Sequence, residues 1–145
     1  MAALQRLGAD MSAPTSPPVR YPAVDALPVP AGHYSPVAVG GGLVAVSGQL
    51  PVDATGRPRP DLSFEAQATL VLDNVQAALA AAGCDWQHVL KVTVYVAGIK
   101  HWPAFDALYR ARLGSAKPAR AVVPVVELHH GVLIEIEALA VQDRP

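Results

Sequence analysis

The fold of this chain is decided by residues 117–141, KPARAVVPVVELHHGVLIEIEALAV. This segment predicts two strands, Ala121 to Leu128 and Val132 to Val141, joined as a terminal hairpin. The turn falls on His129-His130-Gly131, where the glycine is free to take a positive φ. The second strand alternates cleanly, which predicts a buried face and an opposite face. The buried face is formed by Ile134, Ile136, Ala138 and Ala140.

Among the charged side chains of this mostly apolar segment, three stand out: Arg120, Glu135 and Glu137. Burying a charge is unfavourable unless the charge is paired or used, so these residues are the first candidates for function. Arg120 has two interpretations, a ligand anchor or a structural ion pair with Asp106, Glu135 or Glu137. For the two glutamates the competing interpretation is a solvated strand face, and we assign Glu137 to it.

The predicted hairpin also separates two of these charges. With its turn at residues 129–131, Glu135 pairs near Pro124 or Val125, four or five residues from Arg120. At ~3.3 Å per residue this is on the order of 13–17 Å, too far for both side chains to hold one small molecule. If both residues serve one site, we expect that site to combine Arg120 of one subunit with Glu135 of its neighbour.

The residues before this segment predict a β-hairpin followed by a helix, and then one more strand followed by a second helix. A first hairpin surrounds Gly40-Gly-Gly42, and a long helix begins at the N-cap Ser63 and ends at Gly83. A strand at residues 89–97 and a second helix at residues 103–113 follow. The order β-β-α-β-α-β-β indicates a single α+β domain with a mixed sheet and both helices on one face. The other sheet face should be covered by another subunit.

Length and composition limit the class of protein. A chain of 145 residues fits one domain, with residues 1–19 as a flexible N-terminal extension and residues 20–145 as the folded part. A net charge of −1 argues against a nucleic-acid-binding protein. A single cysteine, Cys84, suits a reducing compartment. Neither a signal peptide nor an apolar run of about 20 residues is evident, so we expect a cytoplasmic protein without a membrane partner.

Metal chemistry is not expected either. The pair His129-His130 lacks an evident third ligand, and adjacent side chains on extended backbone point apart. The zinc-deaminase pattern of H-x-E followed by P-C-x-x-C is absent.

Five motifs, in this order and spacing, resemble the Rid (YjgF-type) family of reactive-intermediate deaminases. Together they span roughly residues 21–142. They are Gly32-His-Tyr34-Ser35, Leu43-Val-Ala-Val-Ser47-Gly48-Gln49-Leu-Pro51, Lys91-Val-Thr-Val-Tyr-Val96, Lys117-Pro-Ala-Arg120 and Ile134-Glu135-Ile-Glu137-Ala.

The resemblance implies a chorismate-mutase-like α+β subunit in a homotrimer, with ligand sites between subunits. It also implies a cofactor-free enzyme that hydrolyses 2-imino acids and enamines, such as 2-aminoacrylate, to 2-oxo acids and ammonia. By the same resemblance, Arg120 matches the arginine that binds the substrate carboxylate, and Glu135 matches the glutamate near the attacking water. Tyr34, Ser47 and Gly48 match positions that line the pocket.

This chain departs from the family pattern at three positions. Val122 replaces a frequent cysteine, Asp106 a frequent asparagine and Pro124 a common glutamate. Val122 and Asp106 are kept among the expected substrate-binding residues, but a carboxylate at position 106 would repel an anionic substrate.

Two alternatives therefore stay open: a non-catalytic trimer that senses small carboxylates, and a pathway-specific enzyme with a shifted substrate. Ribonuclease activity, ascribed to some relatives, has little support from the charge balance.

Overall fold

The computed structural model describes residues 18–143. Five strands form one sheet: β1 (Val37–Gly40), β2 (Leu43–Gln49), β3 (Val89–Val96), β4 (Ala119–Pro124) and β5 (Ile134–Val141). Two α-helices, α1 (Phe64–Ala81) and α2 (Trp102–Leu113), interrupt the strands, which confirms the predicted β-β-α-β-α-β-β order. Residues 1–17, which fall in the expected N-terminal extension, lie outside the described part of the chain.

The helix ends form where the sequence predicts them. The Ser63 side chain accepts a hydrogen bond from the Ala66 amide at 3.2 Å, which satisfies one of the free N–H groups at the start of α1. Gly83 follows the helix with φ 74°, a conformation that costs glycine little. Gly114 ends α2 in the same way, with φ 60°.

The sheet order β1-β2-β5-β3-β4 shows that the predicted terminal hairpin is wrong. β4 does not pair with β5; it pairs in parallel with β3, through the βαβ unit that α2 completes. β5 instead lies between β2 and β3 and is antiparallel to both. Residues 125–133 are long enough to carry the chain past β3, so the two strands need not be neighbours. The mixed sheet is confirmed, with β3–β4 as its parallel pair.

The sheet has one covered and one open face. The alternation along β5 buries Ile134, Ile136, Ala138 and Ala140 to 7% exposure or less, as predicted. These side chains join one core cluster with residues of both helices, including Leu72 and Phe105, so the helices cover this face. The opposite face stays open in the single chain and includes Leu43 (46% exposed) and Val141 (41%).

The turn before β5 differs in detail from the extended backbone expected for His129-His130. Residues His129–Gly131 form a short 3-10 helix, and His130 and Gly131 have φ values of 62° and 70°. The two histidine rings consequently lie together, with centroids 4.1 Å apart, instead of pointing apart. The described residues nonetheless contain no group of three or more His, Cys, Asp or Glu side chains placed to hold a metal ion. In this part of the chain, too, neither helix has the length and hydropathy needed to cross a bilayer.

Candidate functional site

Arg120 and Glu135 project from opposite faces of the sheet. Arg120 lies opposite Val92, which is fully buried on the helix side. Glu135 lies opposite Tyr95, three residues further along β3. Side chains alternate along a strand, so residues opposite positions 92 and 95 point to different faces.

Arg120 and Glu135 of one chain are also far apart, as predicted, but not because of the hairpin pairing that the sequence suggested. The pairing of Glu135 with Pro124 or Val125 does not occur, because β3 lies between β4 and β5. Crossing two strand spacings and three residues along the strand gives on the order of 14 Å between the two Cα atoms. None of five cavities found among the described residues is lined by both side chains. We therefore describe the surroundings of each residue separately, as two candidate half-sites.

The first half-site surrounds Arg120 on the helix side. Its Nη2 donates to Asp106 Oδ1 at 2.9 Å, so the ion pair with Asp106 is the alternative that forms. The guanidinium carbon also lies 4.8 Å from the Tyr109 ring centroid and 5.7 Å from that of Phe105. These contacts hold the guanidinium plane against aromatic surface, as cation–π geometry favours. Only one of the five N–H donors of Arg120 is used by the described residues, so most of the guanidinium edge is available to a ligand.

Asp106 is shared between two arginines. Its other oxygen accepts from Arg110 Nη2 at 3.1 Å. The hydrogen bond from Arg120 is the main reason why the pKa of Asp106 is lowered, and Arg110 adds to the effect. The carboxylate consequently stays ionised, and the three side chains together carry one surplus positive charge. The cavity beside them is also lined by Lys117, which strengthens its preference for an anion.

Tyr109 was not among the predicted site residues. Its hydroxyl is buried and has no hydrogen-bond partner among the described residues. Burial raises the pKa of Tyr109 to about 12, so the phenol stays protonated. The signal for this residue was its spacing: Asp106, Tyr109 and Arg110 stand at i, i+3 and i+4 and so share one face of α2.

We expect Tyr109→Phe to raise the free energy of unfolding by about 1 kcal/mol. A buried hydroxyl without a partner costs about 1–3 kcal/mol, and phenylalanine keeps the ring against Arg120. Urea unfolding monitored by circular dichroism measures the difference. A loss of more than about 1 kcal/mol would contradict this, since it would mean that the hydroxyl is hydrogen-bonded in solution.

The second half-site is built around Glu135, on the open face. An irregularity in the β2–β5 pairing between Val46 and Gln49 brings Ser47 and Gly48 out of regular register, as β-bulges near functional sites do. A Cβ atom at position 48 would collide with the Glu135 carboxylate, so only glycine allows this approach. The described residues form no hydrogen bond or ion pair with that carboxylate. Burial, and then the charge of Glu137, raises the pKa of Glu135.

The remaining predicted residues divide between these two half-sites. Tyr34, 57% exposed, and Gly48 line a cavity that His130 and Asn74 also border. Ser47 has a structural role, because its hydroxyl donates to the Ser35 carbonyl at 2.6 Å and its amide donates to the Pro36 carbonyl at 3.0 Å.

Val122 and Glu137 lie on opposite faces of the sheet. Val122 is partly buried and packs against the core on the Arg120 side of the sheet. Glu137 is exposed and accepts a hydrogen bond from the Tyr95 hydroxyl at 3.2 Å, as expected of an open strand face.

The fold and the two candidate half-sites describe a small α+β protein with a candidate anion site at Arg120, and comparison with known proteins places it in a family. The family model described as "Endoribonuclease L-PSP" matches residues 24–142. This chain belongs to that family, the YjgF/Rid family that the five motifs indicated.

Individual relatives agree with this assignment. A RutC family protein of Pyrococcus horikoshii is 36% identical over 116 residues, which cover 80% of this chain and 92% of the relative. The 2-iminobutanoate/2-iminopropanoate deaminase of Capra hircus is 39% identical over 116 residues, covering 79% of this chain and 84% of that protein. The crystal structure of the YjgF gene product of E. coli superposes with a TM-score of 0.79 at 34% identity, covering 86% of this chain and 99% of that one.

Proposed function

We propose that this protein hydrolyses 2-imino acids, such as 2-aminoacrylate and 2-iminobutanoate, to 2-oxo acids and ammonia, without a cofactor. The observation that carries the proposal is Arg120, a partly buried guanidinium with a free edge on the helix-covered side of the sheet. Family membership and the deaminase name of a relative at 39% identity support the same reaction.

In the proposed reaction, Arg120 holds the substrate carboxylate through two parallel hydrogen bonds. Glu135 orients a water molecule and takes a proton from it as its oxygen adds to the iminium carbon. This step forms a C–O bond and moves the C=N π electrons onto nitrogen. The proton held by Glu135 then passes to that nitrogen. The C–N bond breaks, the hydroxyl proton passes to the departing ammonia as the carbonyl forms, and the atoms balance as iminium plus water giving 2-oxo acid plus ammonium.

The two half-sites support an assembly in which neighbouring subunits complete each site. Because Arg120 and Glu135 of one chain lie on opposite sheet faces, one small substrate cannot touch both of them. The open face carries exposed apolar side chains such as Leu43 and Val141, and an apolar face of this kind suits burial in a subunit contact. A homotrimer is the proposed arrangement, since closed rings of like subunits give equivalent sites at every interface.

One observation favours a second candidate, a non-catalytic protein that binds small carboxylates. Asp106 already occupies part of the Arg120 guanidinium and repels a carboxylate ligand. Weak binding without turnover would follow if this repulsion were not offset. The endoribonuclease description of the family has no comparable support here, because the chain carries a net charge of −1.

Purified protein mixed with an enzymatic source of 2-aminoacrylate or 2-iminobutanoate tests the proposal. We expect the imine to decay faster than in buffer alone, with ammonia released in equal amount. An unchanged decay rate at several protein concentrations would count against the enzyme. If in addition 2-oxo acids raised the melting temperature, the binding protein would be the better description.

A further inference from the structure

A carboxylate lies at the centre of the Arg120 half-site. Asp106 stands between two guanidinium groups, with contacts of 2.9 Å to Arg120 and 3.1 Å to Arg110. The Asp106 side chain is 22% exposed and that of Arg120 is 21% exposed, whereas that of Arg110 is 81% exposed. Arg110 can therefore keep Asp106 compensated from the solvent side while Arg120 engages a ligand.

A carboxylate ligand on Arg120 must share the guanidinium with Asp106. Since Asp106 uses Nη2, a ligand carboxylate takes the remaining N–H groups of the same planar fork. The atom next to that carboxylate, the 2-position of the ligand, then lies at roughly the 4–6 Å range over which one charge influences another. Whatever the ligand carries at its 2-position is therefore exposed to the negative charge of Asp106.

Substrate and product of the proposed reaction differ at this 2-position. A protonated 2-imino acid carries a nitrogen with two hydrogens and a positive charge. The 2-oxo acid carries an oxygen with lone pairs and no hydrogen. A carboxylate attracts the first group and repels the second, because it accepts hydrogen bonds and cannot donate them.

We propose that Asp106 is a specificity-determining residue, which accepts a hydrogen bond from the substrate nitrogen and so favours the protonated 2-imino acid over the 2-oxo acid. This inference rests on the proposed function of the Arg120 site. Asp106 would then discriminate between substrate and product by charge. The protonated imino acid is a zwitterion with no net charge, whereas the product is an anion that Asp106 repels. The protonated form is also the better electrophile for water.

Two stable ligands test this assignment by binding alone. 2-Aminobutanoate carries an ammonium group beside its carboxylate, and 2-oxobutanoate carries a carbonyl. We expect the unmodified protein to bind 2-aminobutanoate more tightly in calorimetric titrations. Asp106→Asn should tighten binding of 2-oxobutanoate and weaken that of 2-aminobutanoate, changing the ratio of the two Kd values by about tenfold or more, as expected for one charge-assisted hydrogen bond.

Asp73→Asn is the matched control. It removes the same charge and also breaks an arginine pair, at 2.7 Å to Arg112, but on α1 and outside the Arg120 cavity. Its Kd ratio should equal that of the unmodified protein, and melting temperatures of all three proteins check folding.

The possible outcomes separate this inference from the proposed function. An equal change in both Kd values, or none, would overturn the role of Asp106 while leaving Arg120 as the anchor. Absence of binding of either ligand to the unmodified protein would overturn it as well. If Asp106→Asn changes the ratio of the two Kd values as expected but the unmodified protein does not hydrolyse imines, the role of Asp106 stands and only the deaminase is rejected.

Discussion

Arg120→Lys should lower kcat/KM for a 2-imino acid by about ten- to a hundredfold, and Arg120→Ala should lower it further. Lysine keeps the positive charge but replaces a planar fork with a single point charge, so the second hydrogen bond to the carboxylate is lost. A hydrogen bond to a charged group contributes about 1.5–3 kcal/mol, which corresponds to this range of rates. The imine-decay assay at several substrate concentrations measures the effect.

The control for Arg120 is Arg112→Lys. Arg112 also forms a close ion pair, at 2.7 Å to Asp73, and lies in the last turn of α2. It does not line the Arg120 cavity. Its kcat/KM should match that of the unmodified protein. If Arg120→Ala were as active as the unmodified protein, the carboxylate anchor would have to be sought elsewhere.

Glu135→Gln should lower kcat by about 10²–10⁴-fold, because glutamine keeps the shape of the side chain but cannot accept a proton from water. The folded protein should not become less stable. Burial raises the pKa of Glu135, so its ionised form at neutral pH lowers the stability of the folded protein. This destabilisation disappears as the pH falls through the raised pKa and the group becomes protonated. The variant has no charge to desolvate, so its melting temperature at neutral pH should be equal or higher.

The pH profile gives this prediction an internal check through Glu137. Activity should fall on the acid side as Glu135 becomes protonated, at a pH above the ordinary range of a glutamate. Removing the neighbouring charge by Glu137→Gln lowers the pKa of Glu135, so the acid limb should move to lower pH with little loss of maximal rate. An unmoved acid limb would mean that another group controls the profile.

The two inactive variants can be combined to show how the sites are assembled. If each site uses Arg120 of one subunit and Glu135 of its neighbour, trimers mixed from Arg120→Ala and Glu135→Gln subunits contain intact sites. With random mixing of equal amounts, about a quarter of all sites are intact, and this fraction of the activity should return. Mixtures that stay inactive after unfolding and refolding together would contradict a site that combines Arg120 of one subunit with Glu135 of its neighbour.

Local sequence determined much of this protein. The periodicity of α1, the Ser63 cap and the glycines at 83 and 114 predict the helix limits, since these signals depend on neighbouring residues alone. The alternation of β5 likewise identifies its buried face, and the apolar surroundings of Arg120 and Glu135 make both residues conspicuous. The motif spacing is sufficient to indicate the family.

Tertiary structure decided which strands are neighbours, and hence what lies around each charge. An alternating pattern assigns the faces of a strand but does not choose its partners, which is why the predicted β4–β5 hairpin was wrong and the central place of β5 was missed. The same packing brings α2 over β4, pairing Asp106 with Arg120 and burying the Tyr109 hydroxyl beside them. It also turns Arg120 and Glu135 to opposite faces. These relations join residues far apart in the chain, and only the packing of helix against sheet fixes them.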